Sequence, residues 1–196
     1  ASVRKICEYA FSGSRAEVDF SAGTSLTTIG KHAFADYIGP TITIPASVTE
    51  IGDSAFSGIS CTINFSDGSA LMELGYGAFA NYKGYNLKIP DSVVSVGIDC
   101  FFSSSANVIF SENSALKVIN ADAFRSYEGS ILVFPVALEK IDQAAFNDCY
   151  SISIIGYYGS EEQWKNIGIA GGTFDDLDYV EFEYDFDYNK YFEIGE

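Results

Sequence analysis

The sequence predicts a repeat solenoid: one right-handed coil of about seven short turns, mainly β, with short helical or 3₁₀ pieces. Three observations support this prediction. An Ala-Phe-like pair recurs along the chain, two aliphatic positions precede each pair at constant distances, and a short strand-like run follows it. A unit of 22 or 23 residues leaves no room for a long helix. We therefore expect each coil to hold one main strand, a turn, a second short extended or 3₁₀ piece, and another turn.

The recurring aromatic residue is the strongest signal. Its positions are Phe11, Phe34, Phe56, Phe79, Phe101, Phe124 and Phe146. Their successive spacings are 23, 22, 23, 22, 23 and 22 residues. Equal positions of stacked coils lie above one another, so we expect these rings to form a structural ladder in the interior. A single coil cannot bury its own apolar face, and stability then comes from the interfaces between neighbouring coils.

Two aliphatic positions, eight and five residues before each phenylalanine, complete the repeated core. The nearer position is occupied by Ile6, Ile29, Ile51, Leu74, Val96, Ile119 and Ile141. Glycine follows it at positions 30, 52, 75 and 97. A glycine at this point supplies either a positive φ or room for the backbone of a neighbouring coil.

A short apolar run ends nine or ten residues after the phenylalanine of most units. These runs cover residues 18–20, 42–44, 63–65, 87–89, 108–110 and 132–134. Most alternate apolar and polar residues, as in Ile42-Thr43-Ile44, which is typical of a strand with one buried face. Proline follows every second run, at Pro45, Pro90 and Pro135, so the full period is a 45-residue pair of coils.

The segment from Ile44 to Phe56, Ile-Pro-Ala-Ser-Val-Thr-Glu-Ile-Gly-Asp-Ser-Ala-Phe, resembles the repeat of BspA-like leucine-rich repeat proteins. The resemblance covers residues 3–156 in seven units, and it departs from the family pattern at Cys7, Asn120 and Asp142, where glycine is usual. It implies a leucine-rich-repeat coil of the α/β horseshoe class. It also implies a secreted or cell-surface protein whose repeats mediate adhesion or protein binding.

The repetition stops after Phe146, where the last coil needs a cap. Ser160 and Gln163 form a capping-box pattern at the start of a helix, and Trp164 on that helix is predicted to cover the end of the solenoid. Residues 179–188 alternate apolar and acidic side chains, which predicts a final strand with an acidic outer face. We therefore divide the chain into a solenoid (1–156, truncated at its N-terminus), a cap (157–188) and a tail or linker (189–196).

The net charge of −16 is unevenly distributed. Residues 161–196 contain 11 acidic and two basic side chains, a net −9, which leaves −7 for the first 160 residues. This charge disfavours nucleic acids and anionic membranes as partners. No apolar run is long enough to span a membrane, and no signal peptide is present, so we expect no membrane insertion.

Three groups of residues are candidates for chemical sites. The four cysteines lie about two coils apart, too far for disulfides, and we expect buried free thiols. His32 is the only histidine and is expected at the surface or in a turn. Asp185, Asp187 and Asn189 match parts of an EF-hand calcium loop, with Glu196 at its end, but Lys190 stands where that loop needs glycine. The same string also fits the alternating strand.

The sequence predicts a binding protein without catalytic residues, cofactor or metal, acting as a monomer on a protein or glycan surface ligand. Tyr37, Tyr82 and Tyr127 follow the 45-residue period, each two residues before a glycine. We predict the sheet face or this tyrosine row as the binding surface, since aromatic and small polar residues favour recognition. Two alternatives remain open: a right-handed β-helix enzyme that acts on polysaccharides, and a structural spacer of a larger surface protein.

Overall fold

A computed structural model describes residues 3–20, 25–174, 177 and 179–191. The chain winds into a stack of about eight coils, and each complete coil contributes two short strands to two separate ladders. The solenoid architecture predicted from the repeat is confirmed.

The first ladder consists of two-residue strands, each ending on the buried aliphatic residue five positions before the phenylalanine. These strands are Lys5–Ile6 (β1), Thr28–Ile29 (β2), Glu50–Ile51 (β4), Glu73–Leu74 (β6), Ser95–Val96 (β8), Val118–Ile119 (β10), Lys140–Ile141 (β12) and Gly168–Ile169 (β14). All their pairings are parallel, and equal repeat positions face each other, as Glu73 faces Ser95. Strands β4 and β6 are not paired with each other, so the ladder consists of a three-stranded and a five-stranded sheet. We call this ladder the short-strand sheet.

The second ladder, the long-strand sheet, contains the main strand of each coil. Its strands are Ile42–Ile44 (β3), Ile63–Phe65 (β5), Asn86–Lys88 (β7), Asn107–Ile109 (β9), Ile131–Phe134 (β11), Ile154–Tyr157 (β13) and Glu181–Tyr184 (β15). The pairings are again parallel and in register. The predicted first strand, Val18-Asp19-Phe20, is wrong: these residues form no strand, and β3 pairs only with β5. They belong to the first coil of the described chain.

A ribbon of turns forms the third side of each coil and carries the Ala-Phe pair. Alternate N–H groups bond within the coil and between coils: Phe34 N–H donates to Ala55 O (2.8 Å), whereas Ala35 N–H donates to His32 O (3.1 Å). This alternation needs two left-handed residues four apart in each coil. These are Tyr9 and Gly13, His32 and Asp36, Ser54 and Gly58, Gly77 and Asn81, Asp99 and Ser103, Asp122 and Ser126, and Ala144 and Asp148. Gly, Asn and Asp tolerate this conformation best.

The phenylalanine ladder runs through the interior beside this ribbon and is confirmed. Successive rings stack with centroids 5.0–5.8 Å apart and planes within 25° of each other. The ladder continues one step further than predicted, because Phe174 stacks on Phe146 at 5.5 Å. Helix α1 (Glu161–Trp164) lies between these two residues in the chain and lengthens the spacing, so the repeat pattern did not reveal the eighth ring.

The glycines after the short strands supply room rather than a positive φ. A Cβ on Gly97 would lie 2.5 Å from Leu74 O, and one on Gly30 would lie 2.8 Å from Ile6 O, both in the preceding coil. Asn120 occupies the same repeat position and donates its side-chain N–H to Val96 O (2.7 Å). Coil contact at this point therefore favours glycine, and at Asn120 the side chain bonds the facing carbonyl of the preceding coil.

The C-terminal cap closes the stack, and it begins with the predicted helix. Ser160 Oγ accepts Gln163 N–H (3.3 Å), and Gln163 Oε1 accepts Ser160 N–H (2.9 Å), which confirms the capping box. Trp164 is buried against aromatic rings of the last coils and the cap. Its ring lies 5.2–6.5 Å from those of Tyr157, Phe134, Phe174 and Phe182. The cap also extends both ladders through β14 and β15.

The end of the described chain differs from the predicted strand. Strand β15 stops at Tyr184, Asp185 adopts a positive φ of 50°, and the chain turns back over the outer face of the long-strand sheet. Phe186 packs there on Gly156, where a Cβ would overlap its ring. Helix α2 (Tyr188–Tyr191) follows, and both Lys190 and Tyr191 bond Glu183. Residues 189–191 of the predicted tail therefore belong to a short, largely exposed helix that is bonded to β15, whereas 192–196 lie outside the described residues.

The outer face of the long-strand sheet changes character along the stack. Thr43, Asn64 and Lys88 are exposed on its outward row, whereas Ile109 and Val133 on the same row are only 5% and 1% exposed. Neither belongs to the main core cluster. The row continues to Gly156, on which Phe186 packs, so this end of the sheet is buried on both faces.

Candidate functional site

The predicted binding row of tyrosines is wrong, because Tyr37, Tyr82 and Tyr127 lie inside the solenoid with at most 2% of their surface exposed. Each hydroxyl donates to a carbonyl oxygen of the preceding coil: Tyr37 to Ala16 O (2.7 Å), and the others equivalently. Tyr82 and Tyr127 also accept backbone N–H groups of the neighbouring coil. These phenols join successive coils and are not available to a ligand.

The glycine two residues after each tyrosine explains this placement. A Cβ on Gly39, Gly84 or Gly129 would overlap the preceding tyrosine ring, so glycine allows that ring to fold over the backbone. The equivalent interior positions of the intervening coils hold Ile59, Ser104 and Cys149. The 45-residue period thus reflects a large side chain in one coil beside a smaller one in the next. The Tyr-x-Gly spacing was the sequence signal for an interior residue.

The other candidate residues are scattered. Cys100 and Cys149 are buried free thiols as predicted, whereas Cys61 is half-buried and Cys7 is exposed, which contradicts the expectation that all four are buried. Cys7 lies in the outermost coil, at the repeat position where Gly30 makes room for the backbone of the coil before it. Burial raises the pKa of the Cys100 thiol far above its ordinary value. His32 lies in the turn ribbon, as expected, and stacks on Tyr9 at 4.9 Å.

Asp185, Asp187 and Asn189, which match parts of a calcium loop, do not form the predicted strand. Asp187 Oδ1 accepts Asn189 N–H (3.0 Å) in a local turn, and Glu196 lies outside the described residues. Within residues 3–20, 25–174, 177 and 179–191, no group of three or more His, Cys, Asp or Glu side chains is placed to hold a metal ion. None of the helices in this described part has the length and apolar content needed to cross a bilayer.

Exposed apolar side chains that the repeat pattern did not reveal lie at both ends of the short strands β6 and β8. Met72, before β6, is 62% exposed, and Tyr76 and Ile98, after β6 and β8, are 54% and 48% exposed. Val94, before β8, and Val118, in β10, are half-buried. We call these five residues the apolar patch. Exposed apolar side chains grouped on one side of a protein are typical of protein interaction sites.

Backbone bonds between coils bring the apolar patch together. Val94 N–H donates to Met72 O (2.8 Å) and Val118 N–H donates to Val94 O (3.2 Å), which aligns the positions around strands β6, β8 and β10. On the other side of these strands, Gly77 N–H donates to Ile98 O (3.0 Å) and sets Tyr76 beside Ile98. The residues belong to rigid, paired backbone, so the patch is preorganised.

The charges around the apolar patch are unequal on its two sides. Towards the C-terminus, Lys117 pairs with Glu139 (2.7 Å) and Lys140 with Asp142 (2.6 Å). Towards the N-terminus, Glu50 and Glu73 occupy the same position of neighbouring coils. Neither forms an ion pair with any residue that the structure describes. The patch therefore adjoins two uncompensated negative charges.

Sequence reasoning missed the apolar patch because it concentrated on residues that recur. The outward positions of the repeat are mostly polar, such as Thr27, Thr49 and Lys31, and Met72, Tyr76 and Ile98 break that pattern in two successive coils. An apolar residue at a position that is otherwise polar was the available signal. Its detection required knowing which positions face outwards.

Comparison with protein families identifies the repeat. The model of the BspA type leucine rich repeat region matches residues 1–106 and 39–153, with six copies. No curated protein matches the chain.

Two crystal structures of bacterial proteins share the fold. A leucine-rich repeat protein from Bacteroides ovatus is 22% identical with a TM-score of 0.72, and the match covers 93% of this chain and 47% of that one. The pneumococcal vaccine antigen PcpA is 23% identical with a TM-score of 0.62, over 92% of this chain and 48% of the antigen. This chain thus spans about half the length of either protein.

Proposed function

Since this chain belongs to the BspA-type leucine-rich repeat family, we propose that it is a secreted or cell-surface protein that binds another protein without catalysis. The observation that carries the proposal is the apolar patch, in which three large apolar side chains are about half exposed or more on rigid backbone. Aromatic residues and methionine are enriched in the buried centres of protein interfaces. Withdrawing such a patch from water favours association.

The shape of the surface favours a protein over a small molecule as the ligand. The patch lies on the outer face of a sheet that continues through neighbouring coils, which suits an extended partner surface. The side chains of Met72 and Ile98 donate no hydrogen bonds, and only the weakly accepting sulfur of Met72 could bond the hydroxyl groups of a glycan. A protein partner can cover both the apolar centre and the polar rim.

The test uses the immobilised chain to capture host and bacterial surface proteins, which are identified and then measured individually by biosensor. M72S/I98S is expected to weaken binding of the captured partner at least tenfold without a large change in melting temperature. I38S/Y85S is the matched control, because Ile38 and Tyr85 are also exposed but lie elsewhere in the coil. A partner that binds the M72S/I98S variant as well as the wild type contradicts the proposed site.

The two alternatives from the sequence lead to different results. A polysaccharide-active enzyme would cleave glycans in a screen with the purified chain, and we expect no cleavage. A structural spacer would capture no partner in a patch-dependent way. Either result would replace the binding proposal.

A further inference from the structure

We infer that the apolar patch recognises a basic protein segment, in which apolar side chains cover Met72, Tyr76 and Ile98 and Lys or Arg side chains face Glu50 and Glu73. This inference rests on the proposed function and specifies its partner. It follows from the position of the uncompensated charges relative to the exposed apolar side chains.

The first step is the geometry of the two glutamates. Glu73 directly follows Met72 in the chain, and Glu50 occupies the equivalent position one coil earlier. Glu73 lies in the chain between Met72 and Tyr76, and strand β4 with Glu50 lies in the preceding coil, in a separate sheet from β6. Like charges in neighbouring coils repel each other. A cation placed between the two carboxylates would relieve that repulsion. Thr28 donates its hydroxyl to Glu50 (3.3 Å), and this hydrogen bond compensates the charge of Glu50 only partly.

The second step is the pairing of the positive charges around the patch. The nearest cations, Lys117 and Lys140, each pair with an acidic side chain, and Lys31 lies 3.7 Å from Asp53. Lys5, which has no ion pair in the described chain, lies on the same row as Glu50 but two coils before it. A partner therefore meets uncompensated negative charge next to Met72, and the unpaired cation of that row is further away. The overall charge of −16 has the same sign and steers basic partners towards the molecule.

The same charges exclude other occupants. Nucleic acids and acidic glycans would bring anionic groups next to Glu50 and Glu73. A second copy of this chain would carry a further charge of −16 and face the same two glutamates. The patch is therefore suited to a different protein whose surface alternates apolar and basic residues.

The test measures three immobilised peptides of equal length on a biosensor. The first contains Leu and Lys separated by Ser and Gly, the second has Glu in place of Lys, and the third has Ser in place of Leu. The wild-type chain is expected to bind the first at least tenfold more tightly than the other two. Equal binding of the first and second peptides overturns the inference, as does equal binding of the first and third.

Variants of the chain localise the effect. E50Q/E73Q is expected to weaken binding of the first peptide about three- to tenfold at low salt and to reduce its salt dependence. E17Q/E128Q removes the same charge from exposed positions elsewhere and is expected to change binding less than twofold. If both variants weaken binding equally, only the overall charge acts and the inference is wrong.

The outcome is distinguishable from failure of the proposed function. If a captured natural partner no longer binds M72S/I98S but binds E50Q/E73Q as well as the wild type, the inference of a basic segment is wrong. Protein binding at the patch then still stands. A partner unaffected by either variant overturns the proposed site itself. Self-association of the wild-type chain in light scattering, abolished by M72S/I98S, would identify a second copy as the occupant and likewise overturn the inference.

Discussion

The phenol of Tyr82 is bonded to Cys61, a residue of the preceding coil: its hydroxyl donates to Cys61 O at 3.1 Å and accepts Ile63 N–H at 3.3 Å. One buried side chain thereby satisfies two backbone groups of a neighbouring coil. Tyr127 makes the same pair of bonds with Ala106 O and Val108 N–H. In a solenoid, where stability comes from interfaces between adjacent coils, such bonds resist separation of the stack.

We expect Tyr82→Phe to lower the free energy of unfolding by about 1–3 kcal/mol, because the carbonyl of Cys61 and the N–H of Ile63 lose their buried partner. At this chain length that corresponds to a decrease of roughly 2–10 °C in melting temperature. Tyr85→Phe is the control, since Tyr85 is exposed. Differential scanning calorimetry measures both, and equal melting temperatures of the two variants would show that the Tyr82 bonds contribute nothing.

The buried phenol of Tyr127 predicts that the free energy of unfolding decreases at alkaline pH. Burial raises the pKa of this phenol far above its ordinary value of 10.0. A group with a raised folded-state pKa contributes stability that is fully present below the unfolded pKa and is lost as pH rises beyond it. We expect the free energy of unfolding to fall above pH 10 by about 1.4 kcal/mol per pH unit from this group.

Tyr127→Phe tests this pH dependence. The variant loses two hydrogen bonds and is expected to be less stable at pH 8. Its stability should decline less steeply above pH 10, because it lacks the phenol that must remain protonated in the folded state. Urea unfolding between pH 8 and 11.5 measures both curves. Parallel curves would contradict a role for Tyr127 ionisation.

The fold-back of the C-terminal segment depends on a glycine. A Cβ on Gly156 would overlap the Phe186 ring, so Gly156→Ala is expected to displace Phe186 and to cost about 1–3 kcal/mol. Gly171→Ala is the control, because nothing lies within 4 Å of a Cβ at that position. Limited proteolysis after Tyr184 should accelerate in the first variant only. Unchanged protection in both variants would mean that Phe186 does not hold this segment in place.

The four cysteines should react with a thiol reagent in the order of their exposure. Cys7 is exposed and is expected to be labelled in the folded protein, followed by the half-buried Cys61. Cys100 and Cys149 are buried, and Cys100 is further protected because burial raises the pKa of its thiol. Mass spectrometry of timed samples gives the order. Labelling of Cys100 before global unfolding would contradict the described packing.

The sequence predicted the elements that pack against equivalent elements of neighbouring coils. The position of each ladder phenylalanine, and of the aliphatic residue before it, follows from the 22- or 23-residue spacing, since equal positions of stacked coils must touch. The capping box at Ser160 and Gln163 was also predictable, because its two hydrogen bonds join residues only three apart. Local and periodic contacts can both be recognised in one dimension.

The sequence prediction failed where a side chain could face either way. Tyr82 was predicted on the surface, and the structure shows that its ring folds over Gly84 into the interior. The strand Leu132-Val133-Phe134 lacks alternation, which indicates burial on both faces, yet Phe186, which packs on the neighbouring Gly156 of the same row, lies more than 50 positions further along the chain. No pattern within one repeat identifies such a partner.

The amino-acid sequence by itself determined that this chain stacks short coils around columns of phenylalanine and aliphatic residues, because each coil can bury its apolar side chains only against a similar coil. The tertiary structure alone decided which residues remain at the surface. Hydrogen bonds between coils placed Met72 beside Val94 and Tyr76 beside Ile98, and Phe186 covered Gly156 through a reversal at Asp185. These contacts involve residues that do not recur from coil to coil, so the periodicity of the sequence gives no information about their distances or energies.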